Sequence, residues 1–170
     1  FQSTFRSSFS ISAMVKLRDG QVADLQTIFG LYDNTGDAWI QLGILTNGTI
    51  RFCFGPSASP VSLDTTFAFD NGETTWQHIV AVADEVADTL SVYLNGVLLP
   101  TTASTSGLTW TDFATARYPY IGARNTNGSA AEEIGGSIQQ LGVHNLALSA
   151  PEVKELYSGA SVPFKYKGAS

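Results

Sequence analysis

A chain of 170 residues, 44% hydrophobic and only 14% charged, holds enough apolar material for one domain with a real core. Its formal net charge of −6 argues against a nucleic-acid partner, whose phosphates call for basic patches. No apolar run reaches the roughly 20 residues of a membrane-spanning helix, and no membrane insertion is expected.

Residues 9–17, FSISAMVKL, alternate apolar Phe9, Ile11, Ala13, Val15 and Leu17 with smaller or polar neighbours, the pattern of a strand with one core face. Arg18-Asp19-Gly20 turns the chain. Leu25 to Tyr32 forms the next strand, closed by the turn-rich Asp33-Asn34-Thr35-Gly36-Asp37. Ala38 to Thr46 and Thr49 to Gly55 flank Asn47-Gly48, which predicts a type I′ hairpin. Cys53 is the one cysteine, so no disulfide forms within the chain, and FCFG predicts a buried, inert thiol. After Pro56 and Pro60, Val61 to Phe69 reads as a weaker strand.

The strongest local signal is WQHIVAVADEVADTLSVYLNGVLL, residues 76–99. Ile79 to Ala83 is a nearly unbroken apolar run. Leu90, Val92 and Leu94 alternate with polar positions, and Asn95-Gly96 supplies two left-handed residues for a tight hairpin. Thr101 to Ala116 reads as a long irregular segment around Trp110, Asp112 and Phe113. Tyr118 to Arg124 is expected as a strand, 125–133 as a polar loop and Ile134 to His144 as the last long strand. Ser149-Ala150-Pro151-Glu152 has the spacing of a capping box and predicts a short helix through Val153, Leu156 and Tyr157, closing near Gly159. The domain is therefore expected to span 1–157, with 158–170 a linker or exit arm. The start at Phe1, without methionine, is that expected of a fragment or processed product.

The sum is an all-β, two-sheet antiparallel jelly-roll β-sandwich with one short C-terminal helix. Three blocks in register resemble the laminin-G-like, concanavalin A-like lectin/glucanase family. They are residues 9–17; Trp76-Gln77-His78 leading to Leu94-Asn95-Gly96; and Tyr120-Ile121-Gly122 followed by Gly136-Ser137-Ile138, Leu146-Ala147-Leu148-Ser149, Glu152 and Leu156-Tyr157. The resemblance implies a convex and a concave sheet, with glycans or extracellular proteins bound on the concave face or rim loops, often with calcium. It also makes Trp76 a core position. Where the family often shows Asp-Glu after G-x-I, this chain has Gln139-Gln140, which weakens a calcium site there.

No strand carries the spaced carboxylates of a sandwich hydrolase, and adjacent Glu132 and Glu133 would point opposite ways in extended backbone. No enzyme is expected. His78 and His144 are not set at zinc-ligand spacing. Asp33, Asn34 and Asp37 have the oxygen chemistry of a calcium loop, but a turn whose side chains cap its own backbone is the favoured reading. Asn47-Gly48-Thr49 and Asn127-Gly128-Ser129 match glycosylation acceptors. Stacking on a sugar ring needs an aromatic face beside planar polar groups. Trp39, Trp110, Tyr118 and Tyr120, with Asp112, Arg124, Asn125 and Asn127, are the candidates, Trp110 foremost because of its polar loop.

The expected function is a non-catalytic recognition module of a larger extracellular or virion-surface protein. Its expected partners are a glycan or cell-surface polymer and the other domains or subunits of that assembly. The alternatives are a decoration domain of a virus particle or adhesin that contacts only protein, and, less favoured, a glycoside hydrolase.

Overall fold

The computed structural model describes residues 2–19, 24–33, 38–56, 58–70, 72–106, 110 and 118–159. Among these, a 3₁₀ turn (Gln2–Arg6) precedes twelve strands: β1 (Phe9–Leu17), β2 (Gln26–Asp33), β3 (Ala38–Ile44), β4 (Thr49–Gly55), β5 (Val61–Ala68), β6 (Gln77–Asp84), β7 (Thr89–Leu94), β8 (Val97–Ser104), β9 (Tyr120–Ile121), β10 (Arg124–Thr126), β11 (Ser129–Ala131) and β12 (Gly136–His144). Helix α1 (Ala150–Gly159) follows. One sheet runs β12-β1-β6-β7-β8. The larger runs β11-β10-β2-β3-β4-β5, with β9 also paired to β2. All pairings are antiparallel except β10 on β2.

The two-residue period decides what lies between the sheets. Phe9, Ile11, Ala13, Val15, Ile79, Ala81, Ala83, Leu90 and Val92 project from one sheet; Ile40, Leu42, Ile44, Ile50, Phe52, Phe54 and Leu63 project from the other. All are essentially without solvent exposure. The jelly-roll sandwich expected from the sequence is thus the architecture found.

The smaller sheet has a second apolar layer outside. Val80, Val82 and Tyr93 face away from the core, and Leu148, Val153 and Leu156 of the C-terminal segment pack over them. The expected capping box starts α1: Glu152 Oε2 accepts from Ser149 N at 2.8 Å and from Ser149 Oγ at 2.6 Å. The Tyr157 ring stacks on buried His78 at 5.9 Å, and burial holds that imidazole below its usual pKa.

Turn chemistry accounts for most departures from expectation. Asn95 (φ 50°) and Gly96 (φ 79°) form the expected type I′ hairpin. Asn47-Gly48 does not: only Gly48 is left-handed, and Leu45 N bonds Thr49 O while Gly48 N bonds Leu45 O. That is a three-residue loop with a glycine bulge, in which Asn47 Oδ1 accepts from Thr49 N and Oγ1. A true I′ turn sits instead at Asn127 (φ 53°) and Gly128 (φ 95°), making a hairpin of the expected 125–133 loop. The strand expected over Tyr118–Arg124 breaks at Gly122 (φ 77°), whose N–H bonds Ile28 O. β8 continues to Ser104, into the stretch expected to be irregular. α1 ends at Gly159, and 160–170 of the expected exit arm lie outside the described residues.

Asn95 also works as a clamp. Its Oδ1 accepts from His78 N at 2.9 Å and its Nδ2 donates to Gln77 Oε1 at 2.6 Å. Asn95→Ala removes both bonds and leaves an alanine in left-handed backbone, so unfolding free energy should fall by about 2 kcal/mol. Asn95→Gly, which relieves the backbone but not the bonds, should recover part of that loss in urea titrations.

Candidate functional site

The outer face of the larger sheet carries no helix among the described residues. Its inward residues are mostly apolar, so its outward residues are set by the same alternation: Thr27, Gly30 and Tyr32 on β2; Trp39, Gln41 and Gly43 on β3; Arg51 and Cys53 on β4; Ser62 and Asp64 on β5; Arg124 and Thr126 on β10. Parallel pairing sets Arg124 beside Gly30 and Thr126 beside Tyr32. Gly30 permits that approach, since a Cβ there would meet Thr27 Cγ2 at 2.7 Å and Arg124 Cα at 3.3 Å.

These side chains form one linked network. Arg124 Nη2 pairs with Glu132 Oε1 at 2.6 Å, and its guanidinium lies 5.2 Å from the Tyr32 ring centre and 5.7 Å from that of Trp39. Glu132 Oε2 accepts from Gln41 Nε2 at 2.5 Å and Thr27 Oγ1 at 3.2 Å. Gln41 also donates to Thr27 Oγ1 at 2.8 Å and accepts from Trp39 Nε1 at 3.3 Å. Tyr32 and Trp39 meet edge to face at 5.1 Å. Two polar atoms of the same face, Arg124 Nε and Thr126 Oγ1, are buried without a partner. Orphaned buried donors are uncommon and call for an explanation. Glu132 holds a left-handed backbone (φ 55°), a conformation that a non-glycine residue adopts at a cost and that concentrates at functional sites.

Farther along the face, Arg51 and Asp64 form a two-pronged ion pair, both bonds 2.7 Å. Cys53 Sγ lies 2.9 Å from Ser62 Oγ, and burial pushes its thiol up to about 11, the inert state expected of it.

The sequence candidates separate. Trp39 and Arg124 belong to the network. Tyr118 is exposed and lends its carbonyl to Asn125 Nδ2; Tyr120 donates from its hydroxyl to Gly128 O. Asn125 is a correction: it points inward, is buried, and spends its side chain holding Tyr118 O and Gly128 N. Asn127 serves the adjacent turn. Trp110 is the main correction. It is 6% exposed and packs on Phe54 (4.8 Å) and Phe9 (6.5 Å), so it is a core residue rather than a stacking platform. Trp76 departs in the opposite sense, 38% exposed where a core position was expected. Asp112, Asn34, Asp37 and the Asp33 side chain lie outside the described residues, and the calcium candidate with them. Among the described residues no group of three or more His, Cys, Asp or Glu could hold a metal ion. Tyr32, Gln41, Thr27 and Glu132 were missed. Extended backbone would turn Glu132 and Glu133 to opposite faces, but Glu132 is left-handed (φ 55°) and its carboxylate reaches Arg124 and Gln41.

Residues 2–154 match the family described as the concanavalin A-like lectin/glucanases superfamily, and the chain belongs to it. A search of curated protein sequences finds no match. Among solved structures, the CBM40 of the Ruminococcus gnavus IT-sialidase bound to α2,6-sialyllactose superposes with a TM-score of 0.74 at 19% identity, over 91% of this chain and 86% of that one. A heptameric SAP-like pentraxin from Limulus polyphemus gives 0.65 at 17% identity, over 88% and 69%. The binding domain of botulinum neurotoxin DC in complex with SialylT gives 0.68 at 17% identity, over 92% and 36%. At these identities the likeness is one of fold.

The two tryptophans make opposite predictions for stability. Trp110→Ala should cost about 3–5 kcal/mol, as large aromatic truncations in cores do, whereas half-buried Trp39→Ala should cost about 1 kcal/mol. Urea unfolding of the two variants checks the difference.

Proposed function

We propose that the domain is a non-catalytic carbohydrate-binding module of a larger extracellular or virion-surface protein. Its glycan site is the outer face of the larger sheet around Tyr32, Trp39, Arg124 and Glu132. One observation carries this reading: aromatic rings, a guanidinium, a carboxylate and an amide converge in one hydrogen-bonded network on a sheet face that no helix covers among the described residues. Sugar recognition uses that combination, with ring faces against the apolar side of a pyranose and planar polar groups against its hydroxyls. The glycan ligands named for the CBM40 and neurotoxin structures support it by analogy of fold.

The charge state of the cluster narrows the ligand. Arg124 is already neutralised by Glu132, so the site favours hydroxyls that donate to Glu132 and accept from Arg124. A carboxylated sugar would have to compete with Glu132 for the guanidinium. The same pairing disfavours hydrolysis. The two described carboxylates of this face, Glu132 and Asp64, are held by arginines, whereas glycoside cleavage needs one carboxyl free to give a proton and a second facing it across the sugar.

A glycan array carrying lactose-based oligosaccharides, with and without sialic acid, tests this. Binding is expected, and Trp39→Ala should weaken it about tenfold or more while leaving the fold intact by circular dichroism. A folded domain that binds no glycan, or binds equally well without Trp39, contradicts the proposal and favours a decoration domain held by protein contacts.

A further inference from the structure

The smaller sheet has its own outer face, and α1 covers only part of it. Even-numbered residues of β1 and β6 point outward there: Ser10, Ser12, Met14 and Lys16 on one strand, His78, Val80 and Val82 on the other. Helix α1 covers Val80 and Val82 and ends its reach where Tyr157 stacks on His78. Beyond His78 no described helix covers the face. Trp76 continues the outward series of β6 just before Gln77, the register partner of Val15, and Ser137 of β12 is the register partner of Lys16. Trp76, at the entry to β6, thus falls beside Lys16 of β1 and Ser137 of β12.

That row bounds an open cleft of about 370 Å³ lined by Lys16, Leu17, Arg18, Trp76, Gly136 and Ser137. Its charge is opposite to that of the protein, whose net charge is −6. Arg51 and Arg124 are each neutralised by a carboxylate, but among the described residues Lys16 and Arg18 enter no ion pair and no carboxylate lines the cleft. Beside these two free cations stands an indole left 38% exposed.

We infer that this cleft is a second binding site, for a hexuronate unit of an acidic polysaccharide. The pyranose ring would stack on Trp76, and its carboxylate would lie between Lys16 and Arg18. A hexuronate carries an apolar ring face and a carboxylate on the same unit, so a single sugar meets both features of the cleft. A bare anion uses only the cations, and a neutral sugar only the ring. Arg18 offers a planar two-pronged contact to a carboxylate and Lys16 a mobile point charge. The site lies on the sheet opposite the Arg124 cluster and does not depend on it.

Calorimetric titration of the whole domain with trigalacturonate, at low and at physiological salt, tests the inference. Its fully methyl-esterified form, the same sugar without charge, is the control. Trigalacturonate should bind, more weakly as salt rises, and esterification should weaken it about tenfold or more. The double variant Lys16→Gln/Arg18→Gln, altered only at exposed positions, should lose a similar factor. Trp76→Ala should also weaken binding strongly, while Trp76→Phe, which keeps an aromatic face, should stay within about threefold of the parent. Trp39→Ala should leave this binding unchanged, which separates it from the outer-face site of the larger sheet. Absence of binding at millimolar trigalacturonate, equal affinity for the ester, or loss with Trp39→Ala instead of Trp76→Ala would overturn the inference.

Discussion

A β-strand has two faces, and a two-sheet sandwich can bury only one of them between its layers. Everything else in this domain follows from how the remaining two outer faces are dealt with. The inner faces are filled by phenylalanine, isoleucine, leucine and valine, with Trp110 wedged beside Phe54 and Phe9. One outer face is partly closed by α1 on Val80, Val82 and Tyr93. The other, on the larger sheet, is neither apolar enough to demand a cover nor polar enough to be an ordinary wet surface. It carries a guanidinium between two aromatic rings and a carboxylate, with donors left over.

That third condition costs stability. Burying an ion pair gives little net gain over apolar residues of the same volume, and unpartnered buried donors lose free energy outright. Glu132 adds left-handed backbone to these costs. A surface that served only to cap the sheet would be better built from threonine and valine. Its composition is explained when hydroxyl-bearing ligands exchange hydrogen bonds with the network.

Much of the fold was legible because strands announce themselves by period and hairpins by their turn residues. FSISAMVKL and residues 76–99 stand where the sequence placed them, and Ser149 and Glu152 cap the helix they predict. Most of the failures lie in the turns. Asn-Gly pairs were read without the length of the loop around them, so Asn47-Gly48 was assigned the turn that Asn127-Gly128 makes. The hairpin hidden at Asn127 then concealed how β10 lies parallel to β2, and with it the route that brings Arg124 and Glu132 over Tyr32 and Gln41. Half of the candidate cluster was visible as residue types, namely Trp39 and Arg124. The other half arises from strand order, which no local pattern encodes. Trp110 and Trp76 exchanged roles for the same reason: polarity of the neighbouring sequence says little about which side of a sheet an indole reaches.

The three tryptophans of this chain report on three separate places, and the central claim can be read from their indole N–H signals in one proton–nitrogen correlation spectrum recorded with and without lactose. The account predicts that the Trp39 indole shifts in a saturable way together with the Arg124 Nε–H, while the Trp110 indole, locked in the core, stays fixed. A saturable response that leaves Trp39 and Arg124 unmoved would place sugar recognition elsewhere and contradict it.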